Sequence, residues 1–159
     1  MLSYLRRHTP FAVLAALGDC GLPVRVYGLG TRAPIGSLSF HEVDDRRFVD
    51  DLVACRALIA AAGNQLIGEA LHLGKPLLML PEAARVEQWI HARFLAETGC
   101  GDSCPLEHVS VDRVAAFVAG LDTFAQAASG VKGRMDGAGD VLAVIGRRLA
   151  SAAAAQPSR

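Results

Sequence analysis

Charge of one sign is the first thing this 159-residue chain lacks: 16 Lys and Arg stand against 16 Asp and Glu, for a formal net charge of zero. A balance of that kind supplies no global attraction to nucleic acid or to an anionic membrane, so neither is expected as a partner. The 4 cysteines, Cys20, Cys55, Cys100 and Cys104, form no Cys-x-x-Cys pair. They read as reduced thiols of a cytoplasmic protein rather than as a disulfide framework or a zinc knuckle. No apolar run approaches the roughly 20 residues that a transmembrane helix needs, and the N-terminus lacks the charged, apolar and small-residue order of a signal peptide. Disorder is excluded as well, because 52% of the residues are hydrophobic and only 20% are charged. One soluble domain with its own core is the expectation.

Several motifs are also missing. The five histidines, His8, His41, His72, His91 and His108, are scattered without metal-ligand spacing, and Glu87 with His91 is only an i, i+4 pair, so no metal is expected. Gly28-Leu-Gly30 has two glycines of a dinucleotide fingerprint but neither the third nor a helix behind it, and reads as a loop. Gly137-Ala-Gly139 follows no strand and reads as a helix entry. Cys100 and Cys104 bracket a loop holding Asp102, where packing is a better account than redox work. No internal repeat is visible.

What is present is an alternation of two periodicities. Apolar runs of strand length fall at Met1 to Leu5, Pro23 to Tyr27, Ser37 to Phe40, Ala57 to Ala62 and Pro76 to Pro81. Between and after them, helical spacing marks 11–20, 44–55, 64–73, 85–98, 111–124 and 140–155, with a short edge strand in the loop of Gly101 to Pro105 and a frayed tail at 156–159. In the helix of 44–55, Phe48, Val49, Leu52 and Val53 are expected on one side; in that of 85–98, Trp89, Ile90, Phe94 and Leu95 are expected to face inward. Strands alternating with helices imply a Rossmann-like three-layer α/β sandwich with a mostly parallel sheet. Ligands of such sheets bind outside the carboxyl ends of the strands, so the loops after Leu5, Tyr27, Phe40, Ala62 and Leu80 are where chemistry belongs.

Two of those loops carry suitable residues. Ala62-Gly63-Asn64-Gln65 passes from a central strand into a helix whose first-turn N–H groups are free to meet an anion. Gly63 has no Cβ to keep a phosphate from the backbone, Asn64 serves as N-cap or ligand donor, and Glu69 suits the vicinal hydroxyls of a ribose. An ordinary strand-to-helix turn, with Glu69 merely favouring the positive helix end, accounts for the same residues. At the second loop, Glu87 and Gln88 offer an acceptor and an amide side by side, fit for a polyhydroxylated ligand; acids common in any first helical turn explain them equally.

Taken in order, Phe40-His-Glu-Val-Asp-Asp, Leu52-Val-Ala-Cys-Arg-Ala-Leu-Ile-Ala-Ala-Ala-Gly-Asn, Gly68-Glu-Ala-Leu-His-Leu-Gly-Lys-Pro-Leu-Leu-Met-Leu-Pro and Glu87-Gln-Trp-Ile-His-Ala resemble the C-terminal domain of GT-B glycosyltransferases. The nearest likeness is to the family-28 branch related to the MurG-type N-acetylglucosaminyl transferase. The resemblance covers nearly the whole chain, as a single donor-binding domain over 1–155, and implies one half of a GT-B fold. It implies a UDP-sugar as substrate, with no cofactor and no metal. By position, Glu69 holds the ribose hydroxyls, Gly63 and Asn64 lie at the diphosphate loop, Gln65 belongs to the nucleotide-sugar-binding set, and Val43 marks the edge that meets the base. Glu87 and Gln88 hold the sugar hydroxyls. Where related loops carry glycines, Arg6 and Arg7 together with His8 stand near the phosphates and offer charge instead. Glu82 is a second departure, an acid beside a diphosphate that Arg85 must offset.

The function implied is donor binding for transfer of a sugar from a nucleotide-sugar to an acceptor, a hexosyltransferase once complete. The acceptor and the catalytic base are expected on an N-terminal GT-B domain, in the same chain or in a partner subunit. The isolated domain is expected to be inactive, and any peripheral association with the inner membrane face would come through that other half. A nucleotide-sugar hydrolase or 2-epimerase on the same fold is the alternative, as is a non-catalytic subunit.

Overall fold

The computed structural model describes residues 1–61 and 63–154, the last three by their main chain. Ala62, expected to close a strand, and Ala155 with the tail of 156–159 lie outside the described residues. Among the described residues the order is β1 (Leu2–Tyr4), α1 (Phe11–Gly18), β2 (Val24–Tyr27), β3 (Leu38–Phe40), α2 (Asp45–Ala54), β4 (Leu58–Ala60) and α3 (Asn64–His72). It continues with β5 (Leu77–Met79), α4 (Val86–Thr98), β6 (Gly101–Ser103), α5 (Val111–Ala119), α6 (Leu121–Val131) and α7 (Ala138–Ala154). The edge strand expected near Gly101 is β6. Gly28 and Gly30 are both in the left-handed region, at φ 86° and 70°, as a loop without a following helix requires.

All strands are parallel, in the order β3-β2-β1-β4-β5-β6. The sheet grows outward from β1 to β3, returns to the centre at β4, and grows outward the other way. β1 and β4 therefore lie side by side, with Tyr4 level with Ala60, while the helices that follow them cover opposite faces. That reversal opens a crevice at the carboxyl ends of the two strands.

Period-2 alternation builds a core on each face. Val24, Val26, Leu38, Phe40, Ile59 and Leu78 pack with Val13, Leu14 and Leu17 of α1 and Val114 and Phe117 of α5. Leu2, Tyr27, Leu58, Ala60, Leu77 and Met79 pack on the other side with Leu52, Ala70, Leu71, Ala92 and Leu95. Strands covered on both faces read as continuous apolar runs, which is why 57–62 is legible as a central strand and 76–81 as a strand. Ser3 is a polar residue buried among them, and its hydroxyl donates to the Ile59 carbonyl at 2.9 Å.

Three expectations are corrected. The helix expected over 111–124 is two helices, α5 and α6, bent by 60° at Gly120. A Cβ there would stand 2.8 Å from the Phe124 ring, which stacks on Phe117 at 5.6 Å. Leu121 joins the first core and Ala128 the second, so the bend carries α6 from one face of the sheet to the other. In α4 the buried side chains are Gln88, Ala92 and Leu95, whereas Trp89, Ile90 and Phe94 are exposed by 40%, 48% and 61%. Apolar residues surround this helix, and its inner stripe is chosen by the small Ala92 and by the hydrogen bonding of Gln88. In α2, Leu52 is buried and Phe48 half-buried, but Val49 and Val53 are each 51% exposed. Among the described residues, no single helix is long and apolar enough to cross a membrane.

Candidate functional site

The reversal of strand order between β1 and β4 opens into a cavity of about 610 Å³. Tyr4 and Arg6 enter it from the end of β1, Ala61 and Gly63 from the end of β4, and Asn64, Gln65, Leu66 and Glu69 from α3. Val43 and Asp45, Phe48 and Val49 of α2 form the facing wall. Five residues singled out in the sequence, Val43, Gly63, Asn64, Gln65 and Glu69, thus share one cavity with Arg6.

The N-cap of α3 is Gly63, with φ −79° and ψ 131° and no side-chain hydrogen bond onto the helix. Of the two roles expected for Asn64, N-cap or ligand donor, the first is corrected: it is the first helical residue. Nothing lies within 4 Å of where a Gly63 Cβ would be, so the approach to the first-turn amides is open. Unpaired amides at the positive end of a helix attract an anion. From that first turn Gln65 donates its amide to Glu69, one turn further in, at 3.0 Å, holding that carboxylate at the cavity.

The α2 wall is fixed from beneath. Tyr27 is fully buried and its hydroxyl donates to Asp51 at 2.6 Å; Arg25, two residues earlier on the same strand face, bonds the other oxygen of that carboxylate. Burial, reinforced by the hydrogen bond and the charge of Asp51, pushes the Tyr27 phenol up to about 12. Phe48 meets Tyr27 edge-on at 5.1 Å and Tyr4 at 5.7 Å, and His41 stacks on Tyr27 at 5.4 Å. Burial, with the charges of Arg47 and Arg25, lowers the His41 pKa and favours its neutral ring. Asp44 accepts the Arg47 N–H at 2.8 Å and sets the start of α2, so Val43 stands 50% exposed at the cavity edge.

A second cavity, of about 390 Å³, lies beside the first and shares Arg6 and Gly63 with it; Ala84, Arg85, Val86, Glu87 and Gln88 complete its lining. Its two candidate residues point differently. Glu87 is 78% exposed and lies 4.0 Å from His91. Gln88 is buried, and its Oε1 accepts the Glu82 N–H at 2.8 Å. Arg7 is exposed and lines neither cavity. Among the described residues no three His, Cys, Asp or Glu side chains converge on a point where a metal ion would sit.

Sequence reasoning missed Tyr4, Asp45, Phe48, Val49 and the Tyr27–Asp51–Arg25 network. Tyr27 on an apolar strand, in line with Arg25 two residues earlier, was the available signal, because a phenol hydroxyl buried there needs a partner.

A protein-family model described as glycosyl transferase family 1 matches residues 1–122, three quarters of the chain. The chain belongs to glycosyl transferase family 1. Its fold is that of a GT-B glycosyltransferase domain; the broader resemblance holds, and the narrower one to family 28 is not what this match selects. Among solved structures, the spinosyn forosaminyltransferase SpnP superposes with a TM-score of 0.69 at 17% identity, over 84% of this chain and 39% of that one. The glycosyltransferase VinC, solved in complex with dTDP, gives 0.66 at 19% identity, over 92% and 41%. The spinosyn rhamnosyltransferase SpnG, solved with thymidine diphosphate, gives 0.62 at 23% identity, over 84% and 40%. At these identities the likeness shows the fold alone, and this family 1 chain spans about two fifths of the length of each solved protein. No curated protein matches it.

Proposed function

We propose that this chain is the donor-binding half of a glycosyltransferase and that the β1/β4 crevice holds a pyrimidine nucleoside-diphosphate sugar. The observation that carries the reading is the convergence of an open α3 N-terminus, Arg6 and Glu69 on one cavity at the point where strand order reverses. The diphosphate lies against the α3 amides at Gly63, Asn64 and Gln65, with Arg6 over it and Arg7 contributing long-range charge. Glu69 accepts hydrogen bonds from the ribose, and main-chain groups around Val43 meet the base. The sugar extends into the second cavity, where Glu87 accepts from its hydroxyls; Gln88, whose oxygen serves Glu82, offers its amide nitrogen.

During transfer an acceptor hydroxyl attacks the anomeric carbon and the bond to the diphosphate breaks. The helix terminus and Arg6 stabilise the charge that develops on the departing oxygen, without a metal ion. The acceptor and the base that takes its proton come from a second domain, in this chain or on a partner subunit. Solved relatives a little over twice as long support that division, as do the exposed Leu142, Ile145 and Leu149 of α7.

The donor is a UDP-sugar. The dTDP complexes of VinC and SpnG keep thymidine diphosphate as the competing ligand. Calorimetry with UDP and dTDP on the wild type and Glu69→Ala separates them. UDP, with two ribose hydroxyls, should lose about tenfold or more in affinity, and dTDP, with one hydroxyl fewer, should lose less. Equal UDP affinity in the two proteins overturns the site. With the second domain present, free sugar or an epimer as product would replace transferase by hydrolase or 2-epimerase.

A further inference from the structure

Glu82 stands where the loops after β1 and β5 meet. Arg6 lies 3.4 Å from its Oε1, while His8 and Arg85 lie 3.2 and 3.9 Å from its Oε2. Its own side chain is only 17% exposed; those of Arg6, His8 and Arg85 are 42%, 59% and 59% exposed. The loop does not need the carboxylate to keep its shape. It is tied through the main chain of Glu82, whose N–H donates to Gln88 and whose carbonyl accepts the Trp89 indole N–H at 3.2 Å. Two guanidiniums and an imidazole around one carboxylate leave a surplus of positive charge. Arg6, the member that lines both cavities, is thereby held by an internal anion at the place where an external one is proposed to bind.

We infer that Glu82 competes with the diphosphate for Arg6 and so sets the affinity of the crevice for nucleotide. This rests on the donor-binding reading. As the diphosphate arrives, Arg6 turns from the carboxylate to the phosphate oxygens, and His8 and Arg85 keep Glu82 in place. After transfer the carboxylate recaptures Arg6, which weakens the hold on the nucleoside diphosphate and promotes its release. Both exchanges trade one guanidinium–oxyanion ion pair for another, so neither leaves the guanidinium unpaired.

The test is calorimetry at low ionic strength with inorganic pyrophosphate and with UDP, on the wild type, Glu82→Gln, Glu82→Ala and Arg6→Ala, with melting temperatures recorded alongside. Removing one negative charge beside the bound anion should tighten both ligands about fivefold in both Glu82 variants. Arg6→Ala should weaken both and abolish the gain when combined with Glu82→Gln. Unchanged or weaker pyrophosphate binding by both Glu82 variants, at wild-type melting temperature, overturns the inference. Should either variant melt early, the other decides. Pyrophosphate carries no nucleoside, so the two readings fail separately: a gain that persists while UDP ignores Glu69→Ala removes only the nucleoside assignment. UDP binding that depends on Glu69 with no gain in the Glu82 variants removes only the competition.

Discussion

Helices α3 and α4 both begin at the carboxyl edge of the sheet, each against a cavity lined by Arg6, and neither is capped by its own N-cap side chain. The side chains of their first turns are used differently. In α4, Gln88 and Trp89 reach back to the N–H and the carbonyl of Glu82 and close the preceding loop on itself. In α3 the entering residue is a glycine with empty space around it, and Gln65 turns forward to Glu69. A helix start whose side chains serve its own loop is structure; one whose amides and side chains are left over is available to a ligand. The same fold element thus leaves an open entrance in one place and forms a brace in the other.

The largest break in that contrast comes from Gly63→Asp. An aspartate is a favourable N-cap, worth about 0.3 kcal/mol more than glycine to α3, and the main-chain angles and free space admit it. Its carboxylate would occupy the proposed diphosphate position, so UDP affinity should fall on the order of 100-fold while the melting temperature holds or rises. Retained UDP binding in that variant would mean the amides at α3 are not the anion site.

Gln88→Ala should act in the opposite sense, on stability. It leaves the Glu82 N–H without its buried acceptor, at a cost of about 2 kcal/mol and roughly 5 °C in melting temperature. Gln65→Ala, on the exposed start of α3, should stay within about 0.5 kcal/mol. Equal thermal shifts in the two variants would erase the distinction between brace and open entrance.

Tyr27→Phe sharpens the comparison from below, since Tyr27 and Asp51 anchor the α2 wall of the open cavity. The lost hydrogen bond should cost about 1 kcal/mol. The folded protein raises the phenol from 10.0 to about 12, so the stability it contributes is complete below pH 10 and is lost as pH rises through 12. Melting temperature measured across that range should fall less steeply in Tyr27→Phe than in the wild type; parallel curves would contradict the burial of this phenol. As small as for Gln65→Ala is the effect of Phe94→Ser, within about 0.5 kcal/mol, because that ring is 61% exposed. A fall of several degrees would restore the inward-facing α4 expected from its composition.

Much of the architecture was legible because its signals are local. Leu58 to Ala60 and Leu77 to Met79 are apolar without interruption, Gly74 at φ 70° closes the turn after α3, and Pro76 stops any further helix. Gly63, Asn64 and Glu69 were legible for the same reason, lying within two turns of one strand end. Tyr4 and Phe48 were not, because a cavity wall made of one strand's last residue and a helix four elements later has no sequence period. Nor was the facing of α4: with apolar residues at 86, 89, 90, 94 and 95 around the helix, periodicity offers several stripes and hydrogen bonding by Gln88 selects one. Arg6 was expected near phosphate from the GT-B resemblance; that it also pairs with Glu82 depends on two loops 76 residues apart in the chain meeting in space.

Alternation of strand-like and helix-like spacing by itself determined a parallel α/β domain with its chemistry at the carboxyl edge, since side-chain period and crossover handedness leave few other ways to bury such a chain. Which residues share the crevice, which helix start is left open, and which cation is already held by a carboxylate were decided only by tertiary structure. Those are distances between segments remote in sequence, and they are set when β4 returns to lie beside β1.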